Sequence, residues 1–444
     1  MSNKNLSLKK GLLSRNAAWD VLRAVSAGAY ADVALDRAIK KYSLIELDRS
    51  LATELAYGSI RYRYLLDSWI DYLAKVPAIK QPLLLRWLLH LGLYQILYMQ
   101  RIPVSAAINT TVELAKGSQL NKLTSVVNGF LRSVSRHLIE GKFPPVPLKT
   151  SKRISLQNSL PDWLVEELMN IFAEKEVEEI AKASNKIPVF DLRVNRLKTS
   201  PEIILKQFKK VGIGVDIIDD FPDALQLKAG LGDLRKWPGY ELGHWCIQDR
   251  SSQWVAPLLD PQQGDRVLDA CSAPGTKATH IAELIANKGE VWAVDRSPSR
   301  LKLVSENAAR LGAESIKVLA ADSRKLLDIK PEWKGFFQRI LVDAPCSGLG
   351  TLARNPDARW RMTPRKIEDL VTLQRQLLEG VLPLLSPGGR IVYSTCTIHP
   401  DENYRQVEEF ARDNLRVRLK YQQQILPNIG KSGDGFYAAI FEKD

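Results

Sequence analysis

Val267-Leu268-Asp269-Ala270-Cys271-Ser272-Ala273-Pro274-Gly275-Thr276-Lys277 reads as a buried strand that turns sharply into a helix. A small, glycine-containing turn lets the backbone approach a ligand at the carboxyl end of the first strand, where open α/β sheets bind cofactors. The loop lacks the glycine fingerprint for a pyrophosphate, which argues against a dinucleotide. Outward from it the pattern becomes strand, loop, helix, repeated. Strands are expected at Arg266–Ala270, Glu290–Val294, Ile316–Leu319, Arg339–Val342 and Arg390–Tyr393. Such alternation predicts a parallel sheet covered by helices on both faces. The alternating Phe436–Lys443 is expected to close the sheet as an antiparallel strand. Residues 241–444 are therefore expected to form an α/β, Rossmann-like domain.

Acids stand at successive strand ends. Asp295 ends the second strand and suits a ribose diol; Asp322 follows the third, where an acid can meet an adenine amino group; Asp343 ends the fourth. One such acid can simply cap the next helix, whereas three in order point to a ligand. Ribose hydroxyls, an amino-bearing base and a cationic tail fit S-adenosylmethionine better than NAD. Asp269 is expected to hold the turn or to face the amino-acid end of that cofactor.

Two cysteines follow central strands, in Asp343-Ala344-Pro345-Cys346-Ser347-Gly348 and in Ser394-Thr395-Cys396-Thr397. Structural thiols can sit there too, but two beside one cleft point to catalysis. Carbon 5 of cytosine is a poor nucleophile, so a thiolate must first add to carbon 6 and push electron density onto carbon 5. A base must then take the carbon 5 proton, and a donor near N3, for which Asp343 is suited, stabilises the adduct. Amino-group methylation needs no thiol, and its Asp/Asn-Pro-Pro-aromatic turn is absent. Cys246 is read as a small buried hydrophobe. The four cysteines show neither metal-ligand spacing nor a dense disulfide pattern, so reduced thiols and no metal are expected.

The remaining chain is longer than one core requires. Five segments, Leu12–Lys40, Asp48–Lys75, Pro82–Met99, Ser105–Lys116 and Leu120–His137, show helical spacing, so residues 1–140 are expected to be an all-α domain. Pro82–Met99 is apolar, but Arg86, His90 and Gln95 make it a core helix rather than a membrane span. The proline-rich 141–160 is expected to be a linker. A small α/β module is expected over 161–240: Pro161–Ala183 has helical spacing, Val189–Asn195 reads as a strand, 201–211 as a helix, and Val215–Ile218 as a further strand. Residues 1–160 hold 23 Lys+Arg against 10 Asp+Glu, while 161–444 hold 40 of each. The basic third is read either as the handle for a polyanion or as a solvated face. Arg193, Asn195, Arg196 and Lys198 crowd one strand and are likewise open to phosphate or to water. The N-terminal MSNKNLSLKK lacks the apolar run of a secretory signal, so a cytoplasmic location is expected.

Several motifs together give a resemblance: Val126–Arg132 (VVNGFLR), Gln248-Asp249, the Asp269–Lys277 loop, Asp343-Ala344-Pro345-Cys346, Asn355-Pro356-Asp357 with Trp360, and Thr395-Cys396 followed by Pro400, Glu402 and Asn403. With these the chain resembles the bacterial RsmB (Sun/Fmu) family of 16S ribosomal RNA cytosine-5 methyltransferases, within the NOL1/NOP2/Sun group. The resemblance implies a NusB-like RNA-binding domain ahead of the catalytic half. It implies cofactor contacts at Cys271, Ser272, Ala273, Pro274, Gly275, Thr276, Lys277, Asp295, Asp322 and Asp343. Cys396 matches the nucleophile, and Cys346 the cysteine that assists product release; DNA cytosine methyltransferases instead attack with the cysteine of a Pro-Cys pair. Arg359, beside Trp360, is added to Arg193, Asn195 and Arg196 as an RNA contact. Ser272 and Thr276 stand where the family usually has alanine and glycine. The implied target is cytosine 967 of 16S RNA, the implied partner 16S ribosomal RNA, and the implied state a monomer. Other readings are a noncatalytic RNA-binding assembly factor, or the same chemistry on tRNA or 23S RNA.

Overall fold

The computed structural model describes residues 3–228, 232–427 and 433–444; Met1 and Ser2 of the N-terminal decapeptide lie outside them. The chain forms two compact units, one of residues 1–186 with 354–361, the other of 187–353 with 362–444.

The first unit is helical. Its helices are Asn3–Ser26, Ala31–Lys41, Glu46–Arg61, Arg63–Leu73, Leu83–Tyr98, Val104–Lys116, Thr124–Ile139, Thr150–Asn158, Asp162–Ile171 and Glu174–Ala183. Leu83–Tyr98 is buried almost all round, through Leu85, Leu88, Leu91 and Leu93 among others, each worth about 1.5–3 kcal/mol. Its polar residues are kept inside by partners, as burial of charge demands. The Arg86 guanidinium pairs with Asp67, His90 lies 2.8 Å from the same carboxylate, and Gln95 accepts from Arg15 at 2.7 Å. Gly58 is glycine because a Cβ there would collide with the Tyr94 ring. Among the described residues no helix is long and apolar enough to cross a membrane.

Two boundaries differ from expectation. The expected linker 141–160 carries the helix Thr150–Asn158, whose Ile154 and Leu156 are buried. By compactness the helices of 162–183, which the sequence assigns to the small α/β module, group with the helical unit. Prolines mark only 144–147 as irregular; beyond them the apolar spacing resumes and finds a core.

Residues 354–361 complete this unit from far along the chain. Arg359, expected to touch RNA, is instead fully buried. Its guanidinium donates to the carbonyls of Arg61, Asn158, Ser159 and Ser184 and to Asn185 Oδ1, at 2.8–3.4 Å. The four backbone carbonyls end three helices, whose last carbonyls have no partner within the helix and carry the negative pole of its dipole. One cation thus caps all three, and burial pushes its pKa down to about 9. Trp360 Nε1 donates to Ile60 O at 2.6 Å, and the Asp357 carboxylate accepts from Ala31 N, which opens a helix.

The second unit contains, among the described residues, two sheets. The small one comprises β1 (Phe190–Val194), β2 (Val215–Ile218), β3 (Phe221–Leu227) and β4 (Trp245–Ile247), antiparallel in the order β2-β3-β1-β4. It extends past the expected limit of 240 because β4 pairs with β1. The large sheet comprises β5 (Arg266–Asp269), β6 (Glu290–Asp295), β7 (Ile316–Ala320), β8 (Phe337–Asp343), β9 (Leu385–Thr395), β10 (Val417–Ile425) and β11 (Phe436–Lys443). Its order is β10-β11-β9-β8-β5-β6-β7. β5 to β9 are parallel, and β11 runs antiparallel between β9 and β10. The five expected strands are present, but β11 lies inside the sheet, with β10 at its edge. The chain steps from β5 to β7 in one direction and resumes with β8 on the other side of β5. That reversal opens a crevice at the carboxyl ends of β5 and β8.

Candidate active site

The crevice is lined first by the turn after β5. Asp269 is fully buried, and neither of its carboxylate oxygens nor Ser272 Oγ makes a full hydrogen bond among the described residues, although the Ser272 hydroxyl and the Cys271 amide face the carboxylate. Burial pushes the Asp269 pKa up to about 7, with the Asp343 charge adding to the effect. Unpartnered buried oxygens are costly, and they suit the ammonium end of a cofactor's amino acid. Gly275 takes the left-handed conformation at φ +97° and lies so close to Val304 that a Cβ would touch it at 3.0 Å. Thr276 is already the first residue of the helix Thr276–Leu284, so its β-branch meets no positive-φ requirement. Burial holds the Cys271 thiol well above the usual range, which makes it a poor nucleophile.

Asp295 ends β6, buried; it accepts from Ser297 N at 2.9 Å and pairs with Arg300 at 3.4 Å. Arg300 also donates to Ala273 O at 2.6 Å, which ties the second strand end to the first loop. Asp322 is partly exposed and accepts from the backbone and guanidinium of Arg324, whose hydrogen bonds hold its carboxyl below the ordinary range. Asp343, at the end of β8, accepts from Ser394 Oγ at 2.8 Å and from Lys277 Nζ at 2.7 Å. Lys277 is nearly buried and also lies 5.0 Å from the Phe436 ring centroid. The loop lysine thus meets the acid of the neighbouring strand. This donor set, two strand-end acids and an unpartnered turn, fits a ribose and a zwitterionic tail.

Cys346 and Cys396 follow β8 and β9, which are adjacent and parallel, and their sulfurs are 3.3 Å apart as free thiols. Contact with the Cys396 sulfur, burial and the Glu402 charge all push the Cys346 thiol well up. Behind the pair, Ser347 Oγ meets Thr397 Oγ1 at 2.7 Å, and Glu402 accepts from Ser347 N at 2.8 Å and from Gln374 Nε2 at 3.0 Å. Ser347, Thr397 and Gln374 were not singled out from the sequence. The available signal was that the first two directly follow the two cysteines.

The RNA contacts expected on β1 are corrected. Arg193 is fully buried; it donates to Gln248 Oε1, Thr276 O, Thr279 Oγ1 and Glu283 Oε1. Asn195 is also buried, donating to Gly243 O at 2.8 Å and Leu311 O at 2.6 Å. Both brace the helices that carry the cofactor loop and follow β6, and neither presents a donor to solvent. Arg196 pairs with Asp223 and keeps 47% of its side chain exposed.

Residues 256–442 match the 16S rRNA methyltransferase RsmB/F family, 13–136 the NusB family, and 160–232 the ferredoxin-like domain of RsmF/B-like methyltransferases. The probable ribosomal RNA small subunit methyltransferase B of Synechocystis sp. is 42% identical over 404 residues, 90% of this chain and 89% of that protein. The ribosomal RNA small subunit methyltransferase B of Proteus mirabilis is 35% identical over 432 residues, 95% and 98% of the two chains. The crystal structure of PH0851 superposes with a TM-score of 0.83 at 25% identity, covering 97% of this chain and 99% of the other. With relatives aligned along nearly the whole of a strand order and site already suited to S-adenosylmethionine, the chain belongs to the 16S rRNA methyltransferase RsmB/F family and is an S-adenosylmethionine-dependent RNA methyltransferase.

Proposed function

We propose that the protein methylates carbon 5 of a cytosine in 16S ribosomal RNA, cytosine 967 by analogy with its family, through a covalent bond from Cys396 to carbon 6. The observation that carries this reading is the pair of thiols, 3.3 Å apart, at the carboxyl ends of adjacent strands beside Asp343. Methylation of an exocyclic amine or a ribose needs no sulfur nucleophile; carbon 5 does.

S-adenosylmethionine, held by residues 271–277 with Asp295 and Asp322, supplies a methyl group on a sulfonium. The Cys396 thiolate adds to carbon 6, and the charge that develops at N3 is met by a proton from Asp343, whose nearest proton-bearing neighbour is Lys277. After transfer, with Cys346 assisting, a base takes the carbon 5 proton, the freed electron pair re-forms the carbon 5–carbon 6 double bond and expels Cys396 as a thiolate, and N3 returns its proton to Asp343. The target must leave its stack, because carbon 6 is shielded in a duplex. The helical unit supplies the RNA handle: with residues 354–361 it holds 29 Lys+Arg against 18 Asp+Glu, whereas the rest of the chain holds 34 against 32. Unbridged neighbouring thiols suit the reducing cytoplasm, and one chain carries the whole catalytic set, as a monomer requires.

The test incubates purified protein and labelled S-adenosylmethionine with unmodified 16S, 23S and transfer RNA, then maps the methylated base. Cys396→Ser is expected to lose turnover, and Cys346→Ser to accumulate a protein–RNA adduct stable to denaturation. Normal turnover by Cys396→Ser would overturn the assignment, and methylation confined to 23S or transfer RNA would move the substrate.

A further inference from the structure

The chemistry above leaves Glu402 and Asn403 without a task, although the sequence sets them just beyond the second cysteine. Both are fully buried. Glu402 Oε1 accepts from Ser347 N and Gln374 Nε2, and Oε2 accepts from Ser347 Oγ. Direction along the chain of hydroxyls follows from its ends. The His399 amide can only donate, and it reaches Thr397 Oγ1 at 3.2 Å. The Glu402 carboxylate can only accept, so the Ser347 hydroxyl gives it its one proton and Thr397 donates to Ser347 Oγ. Ser347 and Thr397 are the residues immediately after Cys346 and Cys396, so this line of protons joins the two cysteine turns. Asn403 grips the second turn from both sides: Oδ1 accepts from Thr395 Oγ1 at 2.6 Å, and Nδ2 donates to Thr397 O at 3.0 Å.

We propose that Glu402 is a positioning residue, which through Ser347 and Thr397 locks the turns bearing Cys346 and Cys396 to one another and so sets the separation of the two sulfurs. The consequence for methyl transfer rests on the cysteine roles assigned above; the consequence for sulfur spacing does not. The carboxylate is suited to the task because it accepts three donors at once, whereas a carboxamide at the same place has one accepting oxygen. Its negative charge also opposes ionisation of Cys346.

The test reads spacing without RNA or cofactor. A diazenedicarboxamide oxidant takes two hydrogens from a close pair of thiols, becoming the hydrazine and leaving a disulfide. The rate of the Cys346–Cys396 bridge, followed by mass spectrometry on the full-length protein, is expected to fall about tenfold in Glu402→Gln. The Thr397→Val variant, which removes only the bridging hydroxyl, should fall likewise, and Thr397→Ser should restore the native rate. In RNA methylation, the first two variants should lose about ten- to a hundredfold in kcat, as sub-ångström misplacement of reacting groups does, with KM for RNA and for cofactor unchanged within about twofold. Native bridge rates in both Glu402→Gln and Thr397→Val would overturn the proposal. A slowed bridge with turnover retained by Cys396→Ser would uphold the positioning role and sink only the nucleophile assignment.

Discussion

β1 and the turns after β8 and β9 both place polar side chains where a sequence reader looks for ligands, yet they use them differently. On β1 and the residue just after it, Asp191, Arg193 and Asn195 alternate with Leu192 and Val194 and share one face. Each is buried with partners inside the same unit: Asp191 with Arg250, Arg193 with Glu283, Asn195 with two carbonyls. After β8 and β9, and after the neighbouring β5, the strand ends project groups into a crevice, and the Asp269 carboxylate that ends β5 makes no full hydrogen bond there among the described residues. Alternation says which residues share a face but not whether that face meets water, RNA or protein. A strand end at a topological reversal is informative because the backbone itself makes the cavity.

Substitutions can break or sharpen this contrast. Arg193→Ala should cost the most, in the upper part of about 3–5 kcal/mol by urea denaturation, since it strands the buried Glu283 carboxylate; a near-neutral change with weakened RNA binding would return β1 to the RNA surface. Asp269 should show the opposite signature. Its folded pKa of about 7 exceeds the ordinary 3.8, so the folded state keeps a proton that the unfolded chain releases. Its own contribution to stability is then greatest below pH 4, falls between about pH 4 and 7 by up to about 4 kcal/mol, and levels above. Asp269→Asn should flatten that slope; identical slopes in variant and parent would show the acid to be partnered. Asn195→Ala should cost about 1–2 kcal/mol through two lost hydrogen bonds, measured as a lower midpoint at unchanged slope. Arg196→Ala should leave stability within about 0.5 kcal/mol and lower the salt dependence of RNA binding by about one phosphate contact; an unchanged slope would remove the last of these candidates from the RNA surface.

What was legible follows from the same distinction. The inner parallel strands were readable because their buried stretches are apolar runs followed by an acid or a cysteine, whereas the edge strand β7, with no buried residue, fits only the strand–helix alternation. β10 was not expected, since Val417–Ile425 is an edge strand whose polar VRLKYQQQI carries little apolar signal, and without it β11 looked like the edge. Positions of the cysteines and strand-end acids could be inferred from the chain alone. The Lys277–Asp343 pair and the hydroxyls behind the thiols join residues separated by 66 and 50 positions, and no local pattern announces them. Thr276 looked unfavourable in a glycine position; the neighbouring Gly275 takes the strained conformation instead.

The guanidinium that ends three helices of the first unit is encoded more than 150 residues after the last of them. During synthesis those helices leave the ribosome with their final carbonyls facing water or a passing cation, and chains grow at about 5–20 residues per second. For roughly ten seconds or more the nascent unit must wait for Arg359 before its native end-caps are in place. Folding of the amino-terminal part is in this way timed by translation of the catalytic part, and a protein cut after its tenth helix would keep its sequence yet never receive its keystone.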